Sequence, residues 1–109
     1  MERIPYDKLI RDRIPEIIRN DGKESATHIA EDEEYFQKLQ EKLEEEVNEF
    51  LSSDENHKIE EIADILEVLY AICDVKGISQ EEIEKIRFQK AQERGGFQKR
   101  IILEEIRDK

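Results

Sequence analysis

The sequence is short of most features that would mark a specialised class. Its 109 residues contain one cysteine, Cys73, which excludes an internal disulfide and a cysteine-rich zinc cluster. Two histidines, His28 and His57, leave little for a histidine-based metal site. No apolar run approaches the roughly 18 residues that span a bilayer, and the opening MERIPYDKLIRDR lacks the apolar stretch of a signal peptide. A soluble, cytoplasmic protein without a membrane partner is expected. Positive charge is also scarce. Against 29 acidic residues stand 18 basic ones, a formal charge of −11, which argues against binding a nucleic-acid polymer. Hydrophobic residues make up 37%, so the core must be small, and a lone chain of this size is marginally stable enough to favour self-association. The length suits a single domain over residues 1–109. Glycine and proline number only 4 and 2, and helix formers dominate the rest. These features predict an all-α, antiparallel bundle of about four helices, with an irregular N-terminal segment, assembled as an oligomer.

The helix signals divide the chain. Pro15 suits the first turn of a short helix that stops at Asn20–Asp21–Gly22. Ser25–Ala30 reads as loop or short strand. Asp32 is the expected N-cap of a long helix to about Leu51. Asp54 should cap a third helix from about Glu55 to Lys76, closed by Gly77. Ser79 and Glu82 form a capping box for a fourth, which reaches about Glu93 before Gly95–Gly96. The tail from Phe97 has no clear type. Charge is segregated along this order: Glu41–Glu84 holds 15 acidic residues against 3 basic ones, whereas Lys85–Arg100 holds 6 basic residues against Glu93 alone.

Periodicity separates ordinary surface charge from charge that needs a reason. On the second helix, Phe36, Leu39, Leu43, Val47 and Phe50 form one apolar stripe. Glu46 falls at its margin, and Glu49 lies one step further round. The third helix is apolar over more than half its circumference, which implies burial on more than one side. Glu60, Glu67 and Asp74 line its narrow polar face, but Glu61 and Asp64 project within the apolar arc. Unpaired burial of such carboxylates costs several kcal/mol each. Glu46/Glu49 and Glu61/Asp64 are both i, i+3 pairs, so two neighbouring antiparallel helices can bring four carboxylates to one point. All-oxygen ligation suits a hard cation, Mg2+ or Mn2+, completed by substrate phosphate oxygens. Salt bridges to basic residues of another helix would satisfy the same carboxylates. On the fourth helix, the stripe begun by Ile83 and Ile86 ends in Lys90 and Arg94, cations suited to an anionic ligand or to direct pairing with the carboxylates.

The motifs Glu45-Glu46-x-x-Glu49 and Glu61-x-x-Asp64 on consecutive helices resemble the signature of the all-α, MazG-type nucleotide pyrophosphohydrolases. The run Lys8-Leu9-Ile10-Arg11-Asp12-Arg13-Ile14-Pro15-Glu16-Ile17-Ile18 and the later Lys90-x-x-x-Arg94-Gly95-Gly96-Phe97 are similar to the short house-cleaning, phosphoribosyl-ATP pyrophosphohydrolase-like branch. The resemblance covers Tyr6 to Leu103. It implies a helix bundle assembled as a homodimer, homotetramer or higher oligomer. It also implies Mg2+-dependent cleavage of a nucleoside triphosphate to monophosphate and pyrophosphate, by water attack on the α-phosphorus. Carried over by motif, Glu46, Glu49, Glu61 and Asp64 are the metal ligands. Lys8, Arg11, Lys90 and Arg94 are phosphate contacts, and Glu45 or Glu46 orients the water. The triple run Glu44-Glu45-Glu46 leaves the register resting on Glu49. Two other readings stand beside this one: a phosphoribosyl-ATP pyrophosphohydrolase of histidine biosynthesis, and a non-catalytic helical interaction module in which Glu61 and Asp64 pair with Lys90 and Arg94.

Overall fold

The computed structural model describes residues 6–108, and among them four α-helices and no strand are formed. Helix α1 spans Ile14–Asn20, α2 Asp32–Ser52, α3 Lys58–Val75 and α4 Gln80–Arg94, with a single 3₁₀ turn at Glu55–His57 before α3. The chain is therefore all-α. Ser25–Ala30 and the described tail, residues 95–108, take up no regular structure. None of the helices is long and apolar enough to cross a membrane.

The stops and starts follow local chemistry. Pro15 occupies the first turn of α1, where its missing N–H costs nothing. That helix closes with Gly22 at φ 78°, as the Lys23 amide donates back to the Ile18 carbonyl at 3.1 Å. Asp32 is already the first helical residue of α2. The N-cap is Glu31, which makes no side-chain capping bond. Asp54 caps the 3₁₀ turn rather than α3 itself, accepting from the Asn56 amide at 3.1 Å. The capping box at α4 forms as expected, with Ser79 accepting from the Glu82 amide at 3.1 Å.

Two compact units divide at Gly77/Ile78. In the first, α2 and α3 pack as an antiparallel hairpin. Lys58, at the start of α3, lies over the Phe50 ring at 4.5 Å, and Lys76, at its end, lies over Phe36 at 4.2 Å. The hairpin buries Leu39 of the α2 stripe and Val68 of the α3 arc, and the polar residue Glu46 with them. Ile59, Ile62, Leu66 and Leu69 of α3 remain exposed. The second unit holds α4 and the tail, and α4 buries none of its own residues.

Candidate metal centre

The carboxylate site is set by the hairpin. Because α2 and α3 run antiparallel, Glu46 stands opposite the first turns of α3. The i, i+3 spacing of Glu61 and Asp64 then aims both toward it. One oxygen from each of Glu46, Glu61 and Asp64 lies within 4.8 Å of the others. Glu46 is only 6% exposed. One of its oxygens, Oε1, meets Lys42 Nζ at 3.4 Å, while Oε2 has no hydrogen-bond partner. The Oε2 atom of half-buried Glu61 has none either. A buried acceptor left unsatisfied costs about 1–3 kcal/mol, more when charged. Three carboxylates so close together, two of them each with an unpartnered oxygen, form a donor set that fits a hard divalent cation.

The electrostatics agree. Burial pushes the Glu46 carboxyl above its ordinary value, and the charges of Glu49 and Asp64 push the same way against the opposing pull of Lys42. Its neighbour differs. Burial also acts to raise Glu45, but Lys42 and Lys8 outweigh it and hold this carboxyl below the usual range. Adjacent residues on one helix are thus shifted in opposite directions, because Glu45 turns toward two ammonium groups and Glu46 turns into the hairpin.

Glu46, Glu61 and Asp64 are brought together as the spacing predicts. Glu49 is exposed and stands outside the set of three, although its charge reaches Glu46. Lys8 and Arg11 lie on the segment before α1 and are turned onto the carboxylates. Lys8 Nζ is 3.4 Å from Glu45 Oε1, and an Arg11 guanidinium nitrogen donates to Asp64 Oδ1 at 2.7 Å. Lys90 and Arg94 lie on α4 and are exposed. Sequence reasoning missed Lys42, whose Nζ is 3.4 Å from both Glu45 and Glu46. Its position three and four residues before them is the signal that would have found it. It also missed a partner for His28, whose ring nitrogen Nε2 meets the Glu34 carboxylate at 3.0 Å.

Comparison with known proteins gives the site its context. The family model for phosphoribosyl-ATP pyrophosphohydrolase matches residues 6–91, which takes in the N-terminal segment, both helices of the carboxylate hairpin and most of α4. The chain is 45% identical over 47 residues to an uncharacterized protein of Mycolicibacterium smegmatis, a stretch that covers 43% of this chain and 48% of that one. The match thus spans about half the length of that relative. No solved structure matches the chain. With its carboxylates converging from α2 and α3 and its matched length well over half, the chain belongs to the phosphoribosyl-ATP pyrophosphohydrolase family, within the MazG-like all-α nucleoside triphosphate pyrophosphohydrolase superfamily.

Proposed function

We propose that this protein is a nucleoside triphosphate pyrophosphohydrolase dependent on Mg2+ or Mn2+, acting on free nucleotides as a homodimer or homotetramer. The observation that carries the reading is the buried Glu46 carboxylate, with Oε2 unpartnered, within 4.8 Å of oxygens from Glu61 and Asp64. These three residues would hold the ion, with Glu49 beside them to adjust its hydration or take a further ligand position. A bound divalent ion supplies charge neutralisation for the polyphosphate.

The chain's own groups supply the rest. Glu45, kept ionised by Lys42 and Lys8, orients a water and takes its proton. The water oxygen bonds to the α-phosphorus as the bond from that phosphorus to the bridging oxygen breaks, and pyrophosphate leaves. Lys8 and Arg11 contact phosphate oxygens, Arg11 through its fork and Lys8 as a point charge. No serine or cysteine nucleophile takes part. In a second reading phosphoribosyl-ATP, the compound in the description of the matching family, is the triphosphate cleaved.

A panel of normal and oxidised nucleoside triphosphates together with phosphoribosyl-ATP, assayed for pyrophosphate with and without Mg2+, tests both readings. Metal-dependent release is expected, lost by about 100-fold or more in Asp64→Asn while the helical circular dichroism signal stays. Metal-indifferent turnover, or near-native turnover by Asp64→Asn, overturns the site. A marked preference for phosphoribosyl-ATP over the whole panel selects the narrower substrate.

A further inference from the structure

Three contacts fasten the segment before α1 across the carboxylate hairpin. Lys38 of α2 donates from Nζ to the Asp7 carbonyl at 2.9 Å. Lys8 pairs with Glu45, and Arg11 with Asp64. Asp7 takes φ 48° to do so, a left-handed conformation that Asp accepts more readily than most residues. The cleft under this segment, lined by Lys8, Lys38, Lys42, Glu41 and Glu45, holds about 40 Å³. Asp64 Oδ1 is held by Arg11, although Asp64 also belongs to the set of three carboxylates.

We propose that Arg11 is an exchanging counter-ion: it neutralises Asp64 in the unliganded protein and transfers its guanidinium to a substrate phosphate when a divalent ion takes Asp64. The inference rests on the pyrophosphohydrolase reading above and adds an order of events to it. Both side chains of the Arg11–Asp64 pair are well exposed, at 56% and 39%. Screening by water keeps such a pair weak, so a divalent ion can displace it. The released guanidinium remains beside the ion, tethered by residues 7 and 8, and a bidentate donor suits phosphate better than a lone carboxylate oxygen. Cation and anion sites are thereby coupled: metal binding frees the group that grips the polyphosphate, and bound polyphosphate keeps that group off the metal ligand.

The experiment is calorimetric binding of Mn2+ alone, and of inorganic pyrophosphate with Mn2+ present, to the wild-type chain, Arg11→Gln and Arg11→Lys. Arg11 is exposed, so the variants are expected to fold, and circular dichroism verifies it. Arg11→Gln removes the competitor for Asp64, so Mn2+ alone should bind up to about fivefold tighter, the factor set by an exposed ion pair. The same variant should bind pyrophosphate at least about tenfold more weakly, with Arg11→Lys in between because a point charge replaces the fork. The two opposite shifts are the signature. Unchanged or weaker Mn2+ binding by Arg11→Gln overturns the exchange, because Arg11 then does not compete for Asp64. Unchanged pyrophosphate binding overturns it too, since the freed group then has no second partner. If the wild-type chain binds no Mn2+, the metal centre itself fails, an outcome distinct from failure of the exchange alone.

Discussion

At the scale of single residues, Glu46 sets a measurable pH response. Its carboxyl titrates above the ordinary value of 4.5 in the fold, chiefly through burial and then through Glu49. In the window above 4.5, the folded chain therefore binds more protons at this position than the unfolded chain. Stability attributable to Glu46 rises as pH falls toward that value. Glu45 has the opposite sign: burial is outweighed by Lys42 and Lys8, so its contribution is present above 4.5 and is lost as pH falls below. Without metal, Glu46→Gln should melt a few degrees higher than the wild type at pH 7, the change that about 1 kcal/mol brings in a domain of this size. The gap should narrow toward pH 4.5, and added Mg2+ should raise the melting temperature of the wild type more than that of the variant. A gap that ignores pH would falsify the assignment of Glu46 as the strained carboxylate. Glu61 and Asp64 were legible in the sequence because two acids within an apolar arc violate helical periodicity. The depth of Glu46 was not, since a stripe margin can face a neighbour or solvent. The Arg11–Asp64 pair lies 53 residues apart in sequence, and no local pattern encodes a contact of that range.

At the scale of elements, the caps were the most readable part, because each depends on a few adjacent residues. Ser79 and Glu82 start α4 as their spacing requires, and Gly95 ends it at φ 82° and ψ 176°, a backbone region open almost only to glycine. Asp32 misled by one position because several acids crowd the start of α2, and each suits its positive end. Asp54 was found as a cap, but the intervening 3₁₀ turn was not, since capping chemistry does not distinguish the two helix types. The α4 termini make a specific prediction. Ser79→Ala should cost α4 about 1 kcal/mol, and Gly95→Ala about 1–3 kcal/mol at its other end. Hydrogen exchange should therefore quicken about fivefold or more in the first turn for Ser79→Ala and in the last turn for Gly95→Ala. Amides of α2 and α3 should keep their wild-type protection. Faster exchange spread evenly over α2, α3 and α4 would mean that the caps report global stability rather than a local helix end.

At the scale of the whole molecule, the imbalance is between apolar surface made and apolar surface covered. Leu39 and Val68 are the buried hydrophobic residues among those described, whereas Ile59, Ile62, Leu66 and Leu69 of α3 are exposed. Their spacings of 3, 4 and 3 form a seam of the kind that pairs with another helix, and self-association through it would cover this apolar surface. The wide arc of α3 marked this apolar face in the sequence, but what covers it depends on the shape of a surface that periodicity does not describe. Leu66→Glu combined with Leu69→Glu should lower the sedimentation mass to that of a single chain, with the helical signal of the hairpin retained. Salt separates the forces involved. Each chain carries −11, so self-association through this seam would bring like charges together while covering apolar surface. Raising ionic strength from about 0.01 M to about 0.1 M shortens the screening length from about 30 Å to about 10 Å and should strengthen assembly. Dissociation on adding salt would show instead that ion pairs hold the copies together, and the α3 seam would then not be the interface.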